Sequence, residues 1–125
     1  MSGLTFQEMN EWRVEAEIIL GEHNIKTINP VLFYNFEMEP NFTDKECMLF
    51  DLTAVRNSNV ILVNLHKNSV GTAIELFDAN GKQIPVIGFN ASKDLHPWMR
   101  ECCYKICDDL YSAVNYIVDY YASFM

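Results

Sequence analysis

Asp51-Leu-Thr-Ala-Val-Arg56-Asn-Ser-Asn-Val-Ile-Leu-Val-Asn-Leu65, followed after His66-Lys-Asn68 by Ser69-Val-Gly-Thr-Ala-Ile-Glu75-Leu76, is the stretch whose reading decides the fold. It reads as a helix bearing a carboxylate, a strand, and a small-residue turn that opens a second helix bearing another carboxylate. Residues 60–65 form an aliphatic and β-branched run, the signature of a strand covered on both faces. In a parallel α/β sheet the loop after such a strand and the N-terminus of the next helix present unpaired backbone N–H groups, so ligands sit there. Asp51 and Glu75 are thereby aimed at one crevice. A glycosidic bond-breaking site needs that pair, one carboxylate to attack the anomeric carbon and one acid to assist the leaving group.

Working outward, Thr43-Asp-Lys-Glu46 is a capping box ahead of the first helix of this stretch, with Met48, Leu49, Leu52 and Val55 as its apolar stripe and Asp51 just off it. A similar box, Thr5-Phe-Gln-Glu8, predicts an N-terminal helix that carries Met9, Trp12, Ala16, Ile19 and Leu20 and stops at Gly21. Residues 25–29, closed by Pro30, are a strand candidate. The aromatic segment 31–42 is either a loop over the site or a plug at the core edge. Beyond Glu75 the helix ends at Asn80-Gly81, residues 84–89 are a further buried strand, and 90–97 are irregular. A long terminal helix then presents Leu110, Ala113, Val114, Ile117, Val118 and Tyr121 on one face. The order predicts a single α/β domain over 1–125 with right-handed crossovers.

Composition agrees. The chain has 125 residues, half of them hydrophobic, enough for one sizeable core. No apolar run approaches the ~18 residues of a membrane span. The start has neither a basic region nor an apolar signal segment, which predicts a cytoplasmic protein. A formal net charge of -8 argues against a broad nucleic-acid surface, since that role rests on neutralising many phosphates. A single small anion needs only a local donor cluster.

The order and spacing of these motifs resemble the nucleoside 2-deoxyribosyltransferase family, including its relatives that hydrolyse deoxynucleoside 5′-monophosphates. In that family an Asp lies in the helix before a hydrophobic strand and a Gly-x-x-x-Glu-Leu turn supplies a nucleophilic Glu; Asp51, Gly71 and Glu75 stand at those positions. Met1-Ser2-Gly3-Leu-Thr-Phe6 with Trp12-Arg13 is similar to the family's first loop and helix. The resemblance implies a flavodoxin-like, Rossmann-like three-layer sandwich, with Glu75 attacking C1′ to form a covalent deoxyribosyl intermediate and Asp51 assisting departure of the base. A second base or water then completes transfer or hydrolysis. It further implies substrate contacts from Ser2, Gly3, Ser69 and Gly71, a homo-oligomer in which His96 of a neighbouring subunit closes the pocket, and no cofactor or metal. Many nucleoside-specific relatives carry Asp where Ser69 stands, and a carboxylate there repels a 5′-phosphate. Family members also have a central strand before the first loop, and this chain begins where that strand ends. The expectation is a truncated start, or a sheet repaired by another segment or subunit.

Each residue also has a plainer reading. Ser69 fits a helix cap bonded to the Thr72 amide, Glu75 is favoured early in a helix by the macrodipole, and His96, Lys67 and Arg56 fit ordinary surface roles. Asp78, Glu101, Asp108 and Asp109 read as solvated. Cys47, Cys102, Cys103 and Cys107 match no common zinc spacing and read as reduced, mostly buried thiols, with Cys103 and Cys107 on one helix face. The leading function is N-glycosidic cleavage in 2′-deoxynucleosides or their 5′-monophosphates. The alternatives are a catalytically weak nucleotide-binding module and a purely structural interaction domain.

Overall fold

The computed structural model describes residues 6–29 and 43–124. Its elements are α1 (Phe6–Glu22), α2 (Asp44–Arg56), β1 (Ile61–Asn64), α3 (Val70–Gly81), β2 (Val86–Phe89), α4 (Pro97–Glu101), β3 (Lys105–Cys107) and α5 (Leu110–Tyr120), followed by a 3-10 turn at Ala122–Phe124. The strands form one parallel sheet in the order β1-β2-β3. The register pairs Ile61 with Val86 and Asn64 with Phe89.

Period-2 alternation splits β2 between two cores. Ile87 and Phe89 pack with Ala16 and Leu20 of α1 and with Leu110, Ala113, Val114 and Ile117 of α5. Val86 packs on the opposite face with Val55 of α2, Leu76 and Ala79 of α3, and Met99 of α4. Helices therefore cover both faces of the sheet, the condition under which parallel strands are stable. All four residues of β2 are buried, whereas all four of β1 are only half-buried.

Helix ends follow their capping chemistry. Thr43 closes its box on α2: its hydroxyl accepts from the Glu46 amide and the Glu46 carboxylate accepts from the Thr43 amide, both at 3.1 Å. At the end of α1, Asn24 takes the left-handed conformation (φ 61). The Asn24 amide donates to the Gly21 carbonyl and the Ile25 amide to the Leu20 carbonyl, a Schellman arrangement. The helix thus runs past Gly21, because the left-handed residue is Asn24. The same device follows α3, which ends at Gly81 as the sequence predicts, with Gln83 (φ 58) as the left-handed residue beyond it.

Several expectations are corrected. Residues 25–29 form no strand; among the described residues no strand lies beside them to complete a ladder. The terminal region is not one long helix: α4 ends at Glu101, β3 intervenes, and Asp109 restarts the chain as α5 by accepting from the Ser112 amide at 2.8 Å. Cys103 and Cys107 consequently share no helix face. Of the four cysteines, none in a disulfide, only Cys102 is buried. In α2 the buried side chains are Leu52, Ala54 and Val55, while Met48 and Leu49 are about two-fifths exposed. The capping of Thr5 and the segment 31–42 lie outside the described residues.

Gly88 shows how closely β2 meets its neighbour. A Cβ there would run into the side chain of Leu65 and touch Cys103 Sγ. Gly88→Ala should therefore destabilise the protein by about 1–3 kcal/mol in chemical unfolding, through overpacking. Combining it with Leu65→Ala should cost less than the two separate losses add up to, since both changes act on one contact.

Candidate functional site

The site grows from the carboxyl end of β1. After Asn64 the chain passes through Leu65, fully buried, and turns at His66-Lys-Asn68 into α3. Asn68 pins this turn to the loop after β2: its amide donates to the Asp94 carbonyl at 2.9 Å and its carbonyl accepts from the His96 amide at 2.7 Å. Ser69 caps α3, its hydroxyl accepting from the Thr72 amide at 3.5 Å. Glu75 lies one and a half turns into the helix, on the side facing α2 and α1.

Asp51 and Glu75 meet. Both line a pocket of about 120 Å³ between α2 and α3, together with Met48, Leu52, Gly71 and Ile74. Glu75 also lines a larger cleft of about 490 Å³ that runs along β1 and includes Arg13, His66, Lys67, Ser69 and Thr72. Glu75 is thus the side chain common to both spaces. Its pKa is raised to about 7, by burial first and by the nearby Asp51 charge second, with Arg13 opposing the shift. Arg13 is itself half-buried, and burial lowers its pKa while Glu75 raises it. Its guanidinium stacks on Trp12 with 4.5 Å to the ring centre, and Trp12 meets Phe89 edge-on.

The other candidates fall as follows. Gly71 lines the smaller pocket, and a Cβ there would meet nothing within 4 Å, so packing among the described residues does not require glycine. His96 is exposed and borders neither cavity; its Nδ1 accepts from the Trp98 amide at 3.1 Å and caps α4. Within one chain it is a helix cap. Ser2 and Gly3 lie outside the described residues. Arg56 holds Asp78 through two bonds of 3.1 Å each, so Asp78, expected to be solvated, is an ion-pair partner that braces α2 against α3. Asp109 is likewise a cap.

His66 was not a candidate in the sequence. Both ring nitrogens are shut off from solvent without a geometrically formed hydrogen bond, although the Asn64 backbone lies close enough to favour the protonated ring. Burial dominates and lowers its pKa, with Lys67 and Arg13 acting in the same direction. The one available signal was its place directly after the buried end of a strand. The thiols of Cys102, Cys103 and Cys107 are poor nucleophiles: burial raises the pKa of each, that of Cys103 to about 11. Among the described residues no cluster of metal-ligating side chains forms, and no helix is long and apolar enough to cross a membrane.

Two carboxylates with one shifted toward neutrality, beside a half-buried guanidinium, suit chemistry in which a carboxylate attacks or a carboxylic acid donates. Compared with known protein families, with curated proteins and with solved structures, the chain matches none.

The shift at Glu75 has a stability consequence with a definite sign. Its carboxyl binds a proton more tightly when folded, so the penalty is absent below the ordinary value of 4.5, grows as pH rises, and is complete above about 7. Glu75→Gln should therefore stabilise the protein at pH 8 by up to about 2–3 kcal/mol, by the linkage of pKa to free energy. At pH 4 the same substitution should be nearly neutral. Thermal melts of both proteins across this range measure the difference.

Proposed function

We propose that the chain cleaves the N-glycosidic bond of 2′-deoxynucleosides or their 5′-monophosphates, with Glu75 as nucleophile and Asp51 as the group that protonates or hydrogen-bonds the departing base. The observation that carries this reading is the shared pocket of Asp51 and Glu75, with Glu75 opening also onto a cleft large enough for a small ligand. The ionised Glu75 carboxylate attacks C1′ as the bond to the base breaks, giving a deoxyribosyl ester. A second base or a water then attacks C1′ and frees Glu75, so transfer and hydrolysis are branches of one path. Arg13 supports the ionised carboxylate.

Arg13 and Lys67 line the cleft together with Ser69, which supports an anionic substrate within a protein of net charge -8. On this reading the 5′-phosphate lies against Ser69 and the first amides of α3. The fold is a flavodoxin-like sandwich and the protein acts in the cytoplasm as a homo-oligomer. Support for association comes from an exposed helical stripe on α3, Val70, Ile74 and Phe77, next to the smaller pocket. A second reading, a nucleotide-binding module with little turnover, draws on Glu75 itself: a carboxyl with a pKa of about 7 is only half ionised at neutral pH.

Turnover separates the two. Incubation with deoxynucleosides and their monophosphates, with and without an acceptor base, should release or exchange base, and Glu75→Gln should abolish this while the protein stays folded. A nucleophilic Glu75 requires kcat/KM to rise with pH and level off above about 7. A rate that falls over that range would make Glu75 the acid instead. Ser69→Asp should invert the preference between monophosphate and nucleoside, because the new carboxylate repels a phosphate dianion and accepts from a 5′-hydroxyl. Equal kcat/KM for both substrates, unchanged in Ser69→Asp, would return Ser69 to a capping role alone.

A further inference from the structure

The turn between β1 and α3 and the loop between β2 and α4 both leave the carboxyl end of the sheet, and a series of hydrogen bonds joins them. The Ser92 amide donates to the Leu65 carbonyl at 2.9 Å. Asn90 Nδ2 donates to Asn64 Oδ1 at 3.3 Å. Asn68 supplies two further bonds with one side chain: Nδ2 donates to the Asp94 carbonyl at 2.9 Å and Oδ1 accepts from the His96 amide at 2.7 Å. A carbonyl only accepts and a backbone N–H only donates, so these partners fix which end of the Asn68 amide is which. A carboxylate could not make both bonds, because it donates nothing.

The loop is the fixed side of this contact. Leu95 and Met99 are buried in the same core as Leu65 and Leu76. Inside the loop the Asp94 amide donates to Ser92 Oγ at 3.2 Å and the Leu95 amide to the Ser92 carbonyl at 3.1 Å. The start of α3 has no such anchor of its own. Val70 is 79% exposed, and the first buried residue of the helix is Leu76, nearly two turns in. The Ser69 cap is long at 3.5 Å.

Helix α3 is therefore held at two separate places. Leu76 and Ala79 fix its body through the core, with Glu75 next to Leu76. Asn68 fixes its first turn, from which Ser69 and Thr72 line the cleft. Asn68 is exposed, so its bonds compete with water and each contributes modestly. Their loss leaves no buried group unpaired and the core is untouched.

We infer that Asn68 is a positioning residue for substrate binding: by tying the first turn of α3 to the β2–α4 loop it keeps Ser69 and Thr72 against the substrate's 5′ end, while the core alone keeps Glu75 in place for the chemistry. This assignment rests on the N-glycosidic reading of the cleft. Without the tie the first turn unwinds for part of the time, and only the wound fraction binds, so apparent affinity falls in proportion. Substrate that does bind then meets an undisturbed Glu75.

Asn68→Ala removes both bonds without adding a charge. Val70→Pro supplies a different hold on the same turn: proline suits the first helical position, and Ser69 already has the extended backbone (φ -127, ψ 131) that proline requires of the residue before it. Amide hydrogen exchange by NMR reads the turn with no ligand present. In Asn68→Ala, exchange should quicken about tenfold at Ile74 and at Ala73, whose amide donates to the Ser69 carbonyl at 2.9 Å, while Leu76 and Ala79 keep their rates. KM for the common 2′-deoxynucleoside 5′-monophosphates should rise about five- to tenfold, with kcat within about twofold of wild type. Adding Val70→Pro to Asn68→Ala should restore both slow exchange and low KM.

Unchanged exchange at Ala73, or equal quickening at Leu76 and Ala79, overturns the hold on the first turn. An unchanged KM despite faster exchange, or a fall in kcat as large as that in kcat/KM, overturns the division of labour between turn and core. A KM that stays high in the double variant once exchange is restored makes Asn68 a direct substrate contact and overturns the positioning role. A wild-type protein that turns over none of these nucleotides defeats the N-glycosidic reading instead, and exchange at Ala73 with its rescue still decides what Asn68 holds.

Discussion

The parallel pairing of β1 with β2 is the constraint on which the rest depends. β2 is buried along its whole length and packs into both cores, so its position is held by apolar contacts on each face. Its register then fixes where β1 ends. The end of β1 in turn decides where α3 begins, and with it the height at which Glu75 meets Asp51. A one-residue slip would exchange the faces of Ile61 and Leu62 and send both cores the wrong side chains. The site is therefore positioned by the sheet, while its chemistry is carried by helices that the sheet supports.

Glu75 shows what that positioning costs. Burial and a neighbouring carboxylate both disfavour its ionised form, and Arg13 offsets only part of the effect. A purely structural position would gain more from glutamine or leucine. The ion pair of Arg56 with Asp78 on the outer side of α2 and α3 is the contrasting case: exposed and bidentate, it lowers the Asp78 pKa and braces the two helices without isolating a charge. The same two helices thus hold one relaxed carboxylate and one strained one.

Much of this was legible in the sequence because the signals were local. The capping box at Thr43, the aliphatic run at 60–65 and the apolar stripe from Leu110 to Ile117 each specify an element through chemistry within a few residues. The failures share a different cause. β3 has only three residues, too few to show alternation, and exists because β2 offers it an edge. Residues 25–29 failed in the other direction: a plausible strand with no ladder partner among the described residues remains irregular. The end of α1 was misplaced because Asn24 took the left-handed role that Gly21 suggested. His66 was invisible for a related reason, since its isolation depends on walls brought from α1 and the turn before α3.

The first turn of α3 ties these points together. Ser69 accepts from the Thr72 amide at 3.5 Å, a long contact for a cap. The turn is held more firmly from outside, through Asn68 and its bonds to Asp94 and His96. A helix start fixed by a neighbouring loop does not need its own cap at full strength, and its first amides remain directed outward. Gly71 adds to this, since no described side chain fills the space that its missing Cβ leaves. His96 thus acts on the site at a distance, by its backbone, while its ring caps α4. What the sequence suggested as a substrate contact is, within one chain, part of the clamp that holds the first turn of α3.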